Sequence, residues 1–295
     1  MSDKLLITGA AGGLGRLILD SLLAGGKVSP SDLIATSRDP AKLADYAAKG
    51  VETRTADFND TASLDAAFSG ADRILIISTD ALDDTGTRKR QHLAAIAAAK
   101  KASAKHILYT SMPNPENSVI PFAPDHLESE NAVKATGIPY TILRNGWYME
   151  NLFMTLPSSL AGGQWFTSAG TGNVAHIAKK DIAKAIAAAL LDASLESRTY
   201  TLTGTTLHTS DQIAELAAKA TGKPLEVVHL TDEQLAGGMK AHGVPEFLIP
   251  LFVSFDTNTR EGLIAMQTDD AGNLSGETLQ PLDEFLVENK AALTA

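Results

Sequence analysis

The apolar run Leu5-Leu6-Ile7 passes directly into Thr8-Gly9-Ala10-Ala11-Gly12-Gly13-Leu14-Gly15, and a helical pattern from Arg16 to Ala24 follows. Glycines at this spacing between a strand and a helix leave a chain few options. Gly9 permits the tight turn off the strand, Gly12 lets backbone approach a pyrophosphate, and Gly15 lets helix and strand pack closely. The unpaired N–H groups and the dipole of the helix N-terminus then face an anion without needing a basic side chain. A second apolar strand, Leu33-Ile34-Ala35-Thr36, follows about 20 residues on, the spacing of a dinucleotide-binding βαβ unit. Thr8, Gly9, Ala11, Gly12, Gly13, Leu14 and Gly15 are therefore expected to cradle the phosphates of a dinucleotide.

The end of the second strand chooses which dinucleotide. Where an NAD-specific site places an acid for the ribose 2′-hydroxyl, this chain reads Ser37-Arg38. The Arg38 guanidinium can fork onto a 2′-phosphate, with Ser37 and Lys42 as further donors, so NADPH is expected ahead of NADH; a solvated surface arginine is the alternative. Asp57 is placed to accept from the adenine amino group and Phe58 to wall the ring, unless Asp57 instead caps a helix starting near Thr61.

Apolar strand patterns continue at Val51–Arg54, Ile74–Ile77, His106–Tyr109 and Tyr140–Leu143, each separated by an alanine-rich helical segment. Such alternation indicates a doubly wound parallel α/β sheet covered on both faces, a Rossmann architecture, with ligands beyond the strands' C-terminal ends. That rule adds Ser78, Thr79, Thr110 and Ser111 to the expected cofactor contacts and directs attention to Asn145-Gly146-Trp147-Tyr148. From Gly162 the strands shorten, Tyr200-Thr201-Leu202 among them, and a helix from Ser210 to Thr221 ends at Gly222. Residues 1–150 are accordingly expected to bind the dinucleotide and residues 151–295 to form mainly a smaller α/β substrate lobe, some of whose segments return to the sheet.

Composition narrows the partners. A net charge of −10 gives no basic field for nucleic acid or an anionic membrane. The absence of cysteine removes disulfides, thiolate nucleophiles and thiolate-held metals. The seven histidines show no metal-ligand spacing, and no Gly-x-Ser-x-Gly elbow occurs. A first strand starting near residue 4 and the lack of a long apolar run suggest a cytoplasmic protein.

The glycine motif, Ser37-Arg38-Asp39-Pro40-Ala41-Lys42, His126-Leu127-Glu128-Ser129-Glu130 and, most specifically, Leu143-Arg144-Asn145-Gly146-Trp147-Tyr148-Met149-Glu150-Asn151 resemble the NmrA-like, atypical short-chain dehydrogenase/reductases. The likeness is greatest to the quinone-reductase branch and its triphenylmethane-reductase relatives, and it spans most of the chain. It implies a cofactor domain and a substrate lobe with the nicotinamide between them.

Conventional members of that superfamily carry a Tyr-x-x-x-Lys pair, and the matching positions here are His126 and Glu130. A lysine-assisted tyrosinate cannot form, which weakens simple alcohol dehydrogenation. A quinone or cationic dye asks less, because the acceptor is already electrophilic and positioned hydride transfer suffices. Tyr148 is the expected proton donor or substrate hydrogen bond, Asn145 an orienting donor near the carboxamide, and Trp147 and Phe153 the pocket walls, with Met149, Met154 and the Phe247–Phe252 run as further apolar surface. His126 either protonates a developing quinolate or, exposed, makes only an i,i+4 pair with Glu130. Ser111 matches the family's active-site serine. The expectation is an NAD(P)H-dependent reductase of a small aromatic electrophile, quinone or azo or triphenylmethane dye, working as a monomer or homodimer. The rival is a non-catalytic NADP(H)-binding redox sensor.

Overall fold

The computed structural model describes residues 2–83 and 85–294. Strands β1 (Leu5–Ile7), β2 (Leu33–Ser37), β3 (Glu52–Thr55), β4 (Arg73–Ile76), β5 (His106–Ser111) and β6 (Tyr140–Asn145) alternate with helices α1 (Gly13–Ala24), α2 (Ala44–Ala47), α3 (Thr61–Phe68), α4 (Thr87–Lys101) and α5 (Ala123–Ala135). Strands β1, β4 and β5 are buried throughout, as near-continuous apolar runs must be when helices cover both faces. The charged β3, Glu-Thr-Arg-Thr, is half-exposed at the sheet edge, where charge opposes edge-to-edge pairing.

β5 and β6 each run two residues past their apolar patterns, because the polar ends still pair, Ser111 opposite Arg144. Thr110, Ser111 and Asn145 are thus strand residues at the sheet's C-terminal edge.

The second part of the chain adds α6 (Leu156–Gly162), β7 (Gln164–Thr167), β8 (Asn173–Val174), α7 (Lys179–Leu191), β9 (Arg198–Leu202), β10 (His208–Thr209), α8 (Ser210–Thr221), β11 (Glu226–His229), α9 (Asp232–Ala241), α10 (Ile249–Arg260), α11 (Asp270–Ser275), α12 (Leu282–Glu288) and α13 (Lys290–Thr294). The parallel main sheet has the order β3-β2-β1-β4-β5-β6-β9. Tyr200-Thr201-Leu202, grouped by sequence with the lobe, is its seventh strand: Leu143 pairs with Tyr200 and Asn145 with Leu202. The strand order reverses between β1 and β4, which opens the ligand crevice beyond their C-terminal ends.

One sheet face packs Leu5, Ile7, Leu75, Leu108 and Leu143 against α1 and α7. The other packs Leu6, Ile34, Ile74, Ile76 and Ile107 against α3, α4 and α5. The lobe carries two small sheets, β7 with β11 and β8 with β10. Its core includes Leu152, Leu156, Ile213, Phe285 and Leu286. Helix α8 starts with a capping box between Thr209 and Gln212 and ends at a left-handed Gly222, the stop read from the sequence. No helix among the described residues is long and apolar enough to cross a membrane.

Candidate active site

A cavity of about 670 Å³ opens at the crevice, floored by the loop from Gly9 to Gly15. Gly9 turns off β1 with φ +58°, and a Cβ on Gly15 would lie 2.4 Å from the Gly9 carbonyl oxygen and 2.7 Å from the Ala10 Cα. Both positions therefore demand glycine. Helix α1 begins three residues earlier than its apolar pattern, at Gly13, with Gly12 as N-cap, no side-chain cap and no acid in its first turn. Its terminal N–H groups remain available to an anion.

At one side of this cavity stand Ser37, Arg38 and Lys42. Arg16 is committed to Asp45 and the Lys42 carbonyl, and Asp39 caps the short turn after it through Ala41 N–H. Arg38 and the Lys42 ammonium make no ion pair or side-chain hydrogen bond among the described residues. Asp57 and Phe58 form another wall. The cap of α3 is Asp60, which accepts from Ala62 and Ser63 N–H, so Asp57 does not cap that helix. Ala56, Ile77, Asp80, Ala81 and Gln91 complete the lining without having been singled out by sequence. Asp80 and Ala81 merely continue the β4 end, a position that could have flagged them. Gln91 Oε1 and Thr79 Oγ1, both shielded from solvent, have no hydrogen-bond partner among the described residues.

Behind that wall, three consecutive N–H groups after β4 are each fixed by a side chain. Thr8 Oγ1 accepts from Ile77 N–H at 2.8 Å, Thr110 Oγ1 from Ser78 N–H at 2.9 Å, and His92 Nε2 from Thr79 N–H at 3.0 Å. Thr8 and Thr110 thus hold the loop that lines the cavity rather than lining it themselves. The Ser111 hydroxyl is likewise engaged, donating to Glu130 Oε1 at 2.8 Å.

His126 is buried, not exposed, and makes no pair with Glu130. Its Nδ1 meets the Tyr109 hydroxyl at 3.0 Å and its Nε2 the Arg88 guanidinium at 3.2 Å. Because Arg88 only donates, Nε2 is the acceptor and the proton sits on Nδ1. Burial, then the charge of Arg88, pushes His126 well below the usual histidine range and His92 down to about 3. A neutral ring with both nitrogens engaged, lining neither cavity, is a structural imidazole. Glu130 instead receives a fork from Arg144, at 2.8 and 2.7 Å. The i,i+4 spacing did place His126 and Glu130 on one face, but tertiary packing buried that face.

The segment following β6 is pinned on both sides: Gly146 N–H donates to Leu202, Met149 N–H to Ile177, and Ile177 N–H to Trp147. Asn145 is buried, with its Nδ2 3.3 Å from the Tyr148 hydroxyl and its Oδ1 without a partner among the described residues. The Tyr148 ring packs on the same apolar cluster as Ala11 and Leu14. Burial raises its phenol above the ordinary tyrosine range. Trp147 points elsewhere, into a second cavity of about 350 Å³ shared with Trp165, Phe252, Phe255, His176, His208 and Asp256, and meets Phe255 edge-on at 4.8 Å. Met154 joins this lining, whereas Met149 is buried in the lobe core and Phe247 stands exposed. Phe153 is not a wall of this cavity: it packs on Phe285 at 5.7 Å.

The profile of the NmrA-like family matches residues 1–286. This chain belongs to the NmrA-like family. This NmrA-like protein is 34% identical to quinone oxidoreductase 2 of Escherichia coli (strain K12) over 278 residues, covering 94% of this chain and 96% of that one. A crystal structure of an NADPH-dependent quinone oxidoreductase from E. coli, complexed with NADPH, superposes with a TM-score of 0.90 at 33% identity, over 96% of this chain and 99% of that one. The Citrobacter sp. triphenylmethane reductase complexed with NADP(H) gives 0.88 at 34% identity, over 97% and 99%.

Proposed function

We propose that this chain is an NADPH-dependent reductase that delivers hydride to a quinone or a comparably conjugated dye. The observation that carries this is a pair of cavities: a glycine cradle flanked by Arg38 and Lys42, neither of them ion-paired among the described residues, and an aromatic cavity lined by Trp147, Trp165 and Phe255. Its E. coli and Citrobacter relatives are named as reductases of quinones and of triphenylmethane dyes.

Bound in the cradle, NADPH supplies the hydride. Gly12 and the α1 N-terminus hold its diphosphate, Arg38 with Lys42 and Ser37 its 2′-phosphate, and Asp57, Phe58 and Gln91 its adenine. With its Nδ2 engaged by the Tyr148 hydroxyl, Asn145 would meet the carboxamide through Oδ1, as an acceptor rather than the donor expected from the sequence. Tyr148, protonated at neutral pH, holds a proton at its hydroxyl for a reduced oxygen. Trp147 and Phe255 offer aromatic faces against which a flat acceptor stacks.

Oxidation of NADPH, followed by its near-ultraviolet absorbance with benzoquinone, a naphthoquinone, malachite green and an azo dye, tests this, with NADH in parallel. Turnover with any of them, faster from NADPH, is expected. Tight cofactor binding without turnover on any acceptor would overturn it and return the redox-sensor reading.

A further inference from the structure

The lobe cavity is not uniformly apolar. In the two-stranded sheet of β8 and β10, His208 lies opposite Val174, and side chains alternate between the two faces of such a ribbon. Val174, His176, His208 and Ser210 therefore share one face, and all four line the aromatic cavity. His176 is buried and His208 half-buried, and neither imidazole makes a side-chain hydrogen bond among the described residues. The Nδ1 of each is shielded from solvent and without a partner there, so Nε2 is the nitrogen that each ring offers to a ligand. Burial holds His176 down to about 4 and lowers His208 as well, which leaves both rings neutral at physiological pH. Asp256, the remaining ionisable group of the lining, stands on α10 rather than on the ribbon and already accepts from the Thr167 hydroxyl at 2.8 Å and from Ser168 N–H at 2.7 Å.

The ribbon is held rigidly. A Cβ on Gly204 would lie 1.9 Å from the His176 carbonyl oxygen, and one on Gly172 would lie 2.3 Å from that of Thr259 on α10, so backbone closes on this strand at two points. Gly204 N–H donates to the Ala175 carbonyl and Ile177 N–H to that of Trp147, which fixes the residues on either side of His176. Buried polar groups are nearly always partnered. Two preorganised ones left open in an apolar chamber favour a ligand that brings the missing partner and reject one that cannot. A neutral imidazole accepts or donates at Nε2 according to its tautomer, whereas a hydroxyl does both. One hydroxyl can therefore donate to one ring and accept from the other. His176 and His208 are diagonal neighbours across the ribbon, a spacing on the order of 7 Å that a single oxygen between two rings can bridge.

We propose that the face of the β8–β10 ribbon bearing His176 and His208 is a hydroxyl-binding subsite, and that the aromatic ligands this cavity prefers carry a phenolic hydroxyl. As a statement about the acceptor it rests on the reductase reading and names a substituent that the acceptor carries. The two histidines set specificity and take no part in hydride transfer: the hydroxyl is held, not transformed.

The test is equilibrium dialysis of the full chain, in the presence of NADP+, against 4-phenylphenol and 4-methylbiphenyl. These differ by a hydroxyl in place of a methyl group and neither accepts hydride, so turnover plays no part. The unaltered protein is expected to hold the phenol roughly tenfold more tightly. His208→Phe, at the half-buried position, is expected to bring the two ligands within about twofold of each other by weakening the phenol, and His176→Phe to do the same. Equal affinities on the unaltered protein would overturn the proposal even if both variants fail to fold, and so would a preference that survives in the folded variants. Asp256→Asn is expected to keep the preference; its loss there alone would assign the hydroxyl to the carboxylate and overturn the role of the histidines. Absence of NADPH oxidation with every acceptor would sink the reductase reading alone and leave this binding preference standing or falling by itself.

Discussion

The floor of the cradle is backbone: a glycine turn and a helix N-terminus at the end of β1, beside a loop after β4 whose N–H groups are held by Thr8, Thr110 and His92. Around the lobe cavity the walls are side chains brought from separate segments, Trp147 after β6, Trp165 on β7, His176 beyond β8, His208 on β10 and Phe255 with Asp256 on α10. A site made of backbone is nearly fixed once the fold is fixed, and its ligand is nearly fixed too. A site made of side chains can be retuned by single substitutions with little effect on the fold, which suits an enzyme whose relatives are named for different acceptors.

The sharpest way to break this contrast is to add a methyl group to the cradle. Gly15→Ala puts a Cβ into backbone and is expected to cost about 3 kcal/mol or more in urea unfolding, whereas Gly13→Ala, with nothing within 4 Å, should stay within about 0.5 kcal/mol. Comparable costs at the two positions would mean that the cradle is less backbone-determined than described.

Acid tests both regions at once. His92 beside the cradle and His176 in the lobe are held at about 3 and about 4, both by burial first. Below the unfolded value near 6.5 the unfolded chain gains protons that the folded chain does not, so stability is retained above pH 6.5 and lost as pH falls towards 4. Each ring is expected to contribute about 1.4 kcal/mol per pH unit in that window, and denaturant titrations at stepped pH measure the slope. His176→Asn should remove one share of it.

Arg38→Ala should weaken NADPH by about 2 kcal/mol and NADH far less, read by titration with each cofactor; equal losses would remove the 2′-phosphate role. Smallest is Tyr148→Phe, for which a fall in kcat of about tenfold or less at unchanged NADPH affinity is expected if the hydroxyl supplies a proton. For a cationic acceptor, which takes hydride alone, the same variant should be nearly silent, and steady-state kinetics with menadione and malachite green separate the two cases.

The same division explains what was legible in the sequence. The strand–glycine–helix run and Ser37-Arg38 are contiguous, so local spacing carried the cradle, and the doubly wound sheet followed from the alternation of apolar runs. Gln91 escaped because nothing in its neighbourhood of α4 marks it, and only packing turns its amide inward. Nothing in the sequence marked β9 as one of the segments that return to the sheet, because Arg-Thr-Tyr-Thr-Leu is half-exposed at the sheet edge and lacks the apolar run of a central strand. His126 was misjudged because α5 is not amphipathic in sequence, so only the contacts of Arg88 and Tyr109 decide which face is buried. Phe153 and Phe255 are indistinguishable as residue types. Which of them faces Trp147 is a long-range fact, and Asp256 could not be recognised before the rings around it were known.

The closure of the sheet by α7 bears on how the protein is made. The apolar face bearing Leu5, Ile7 and Leu143 is covered in part by Ile182, Ile186 and Leu190 of α7, and Arg73 on β4 donates to the carbonyl of Leu190 at 2.9 Å. A nascent chain that has already released the entire nucleotide cradle from the ribosome therefore still presents a greasy sheet surface and a guanidinium without its acceptor. Chaperone capture and aggregation are the hazards of that interval, and it ends only when the helix after Lys179 has cleared the exit tunnel.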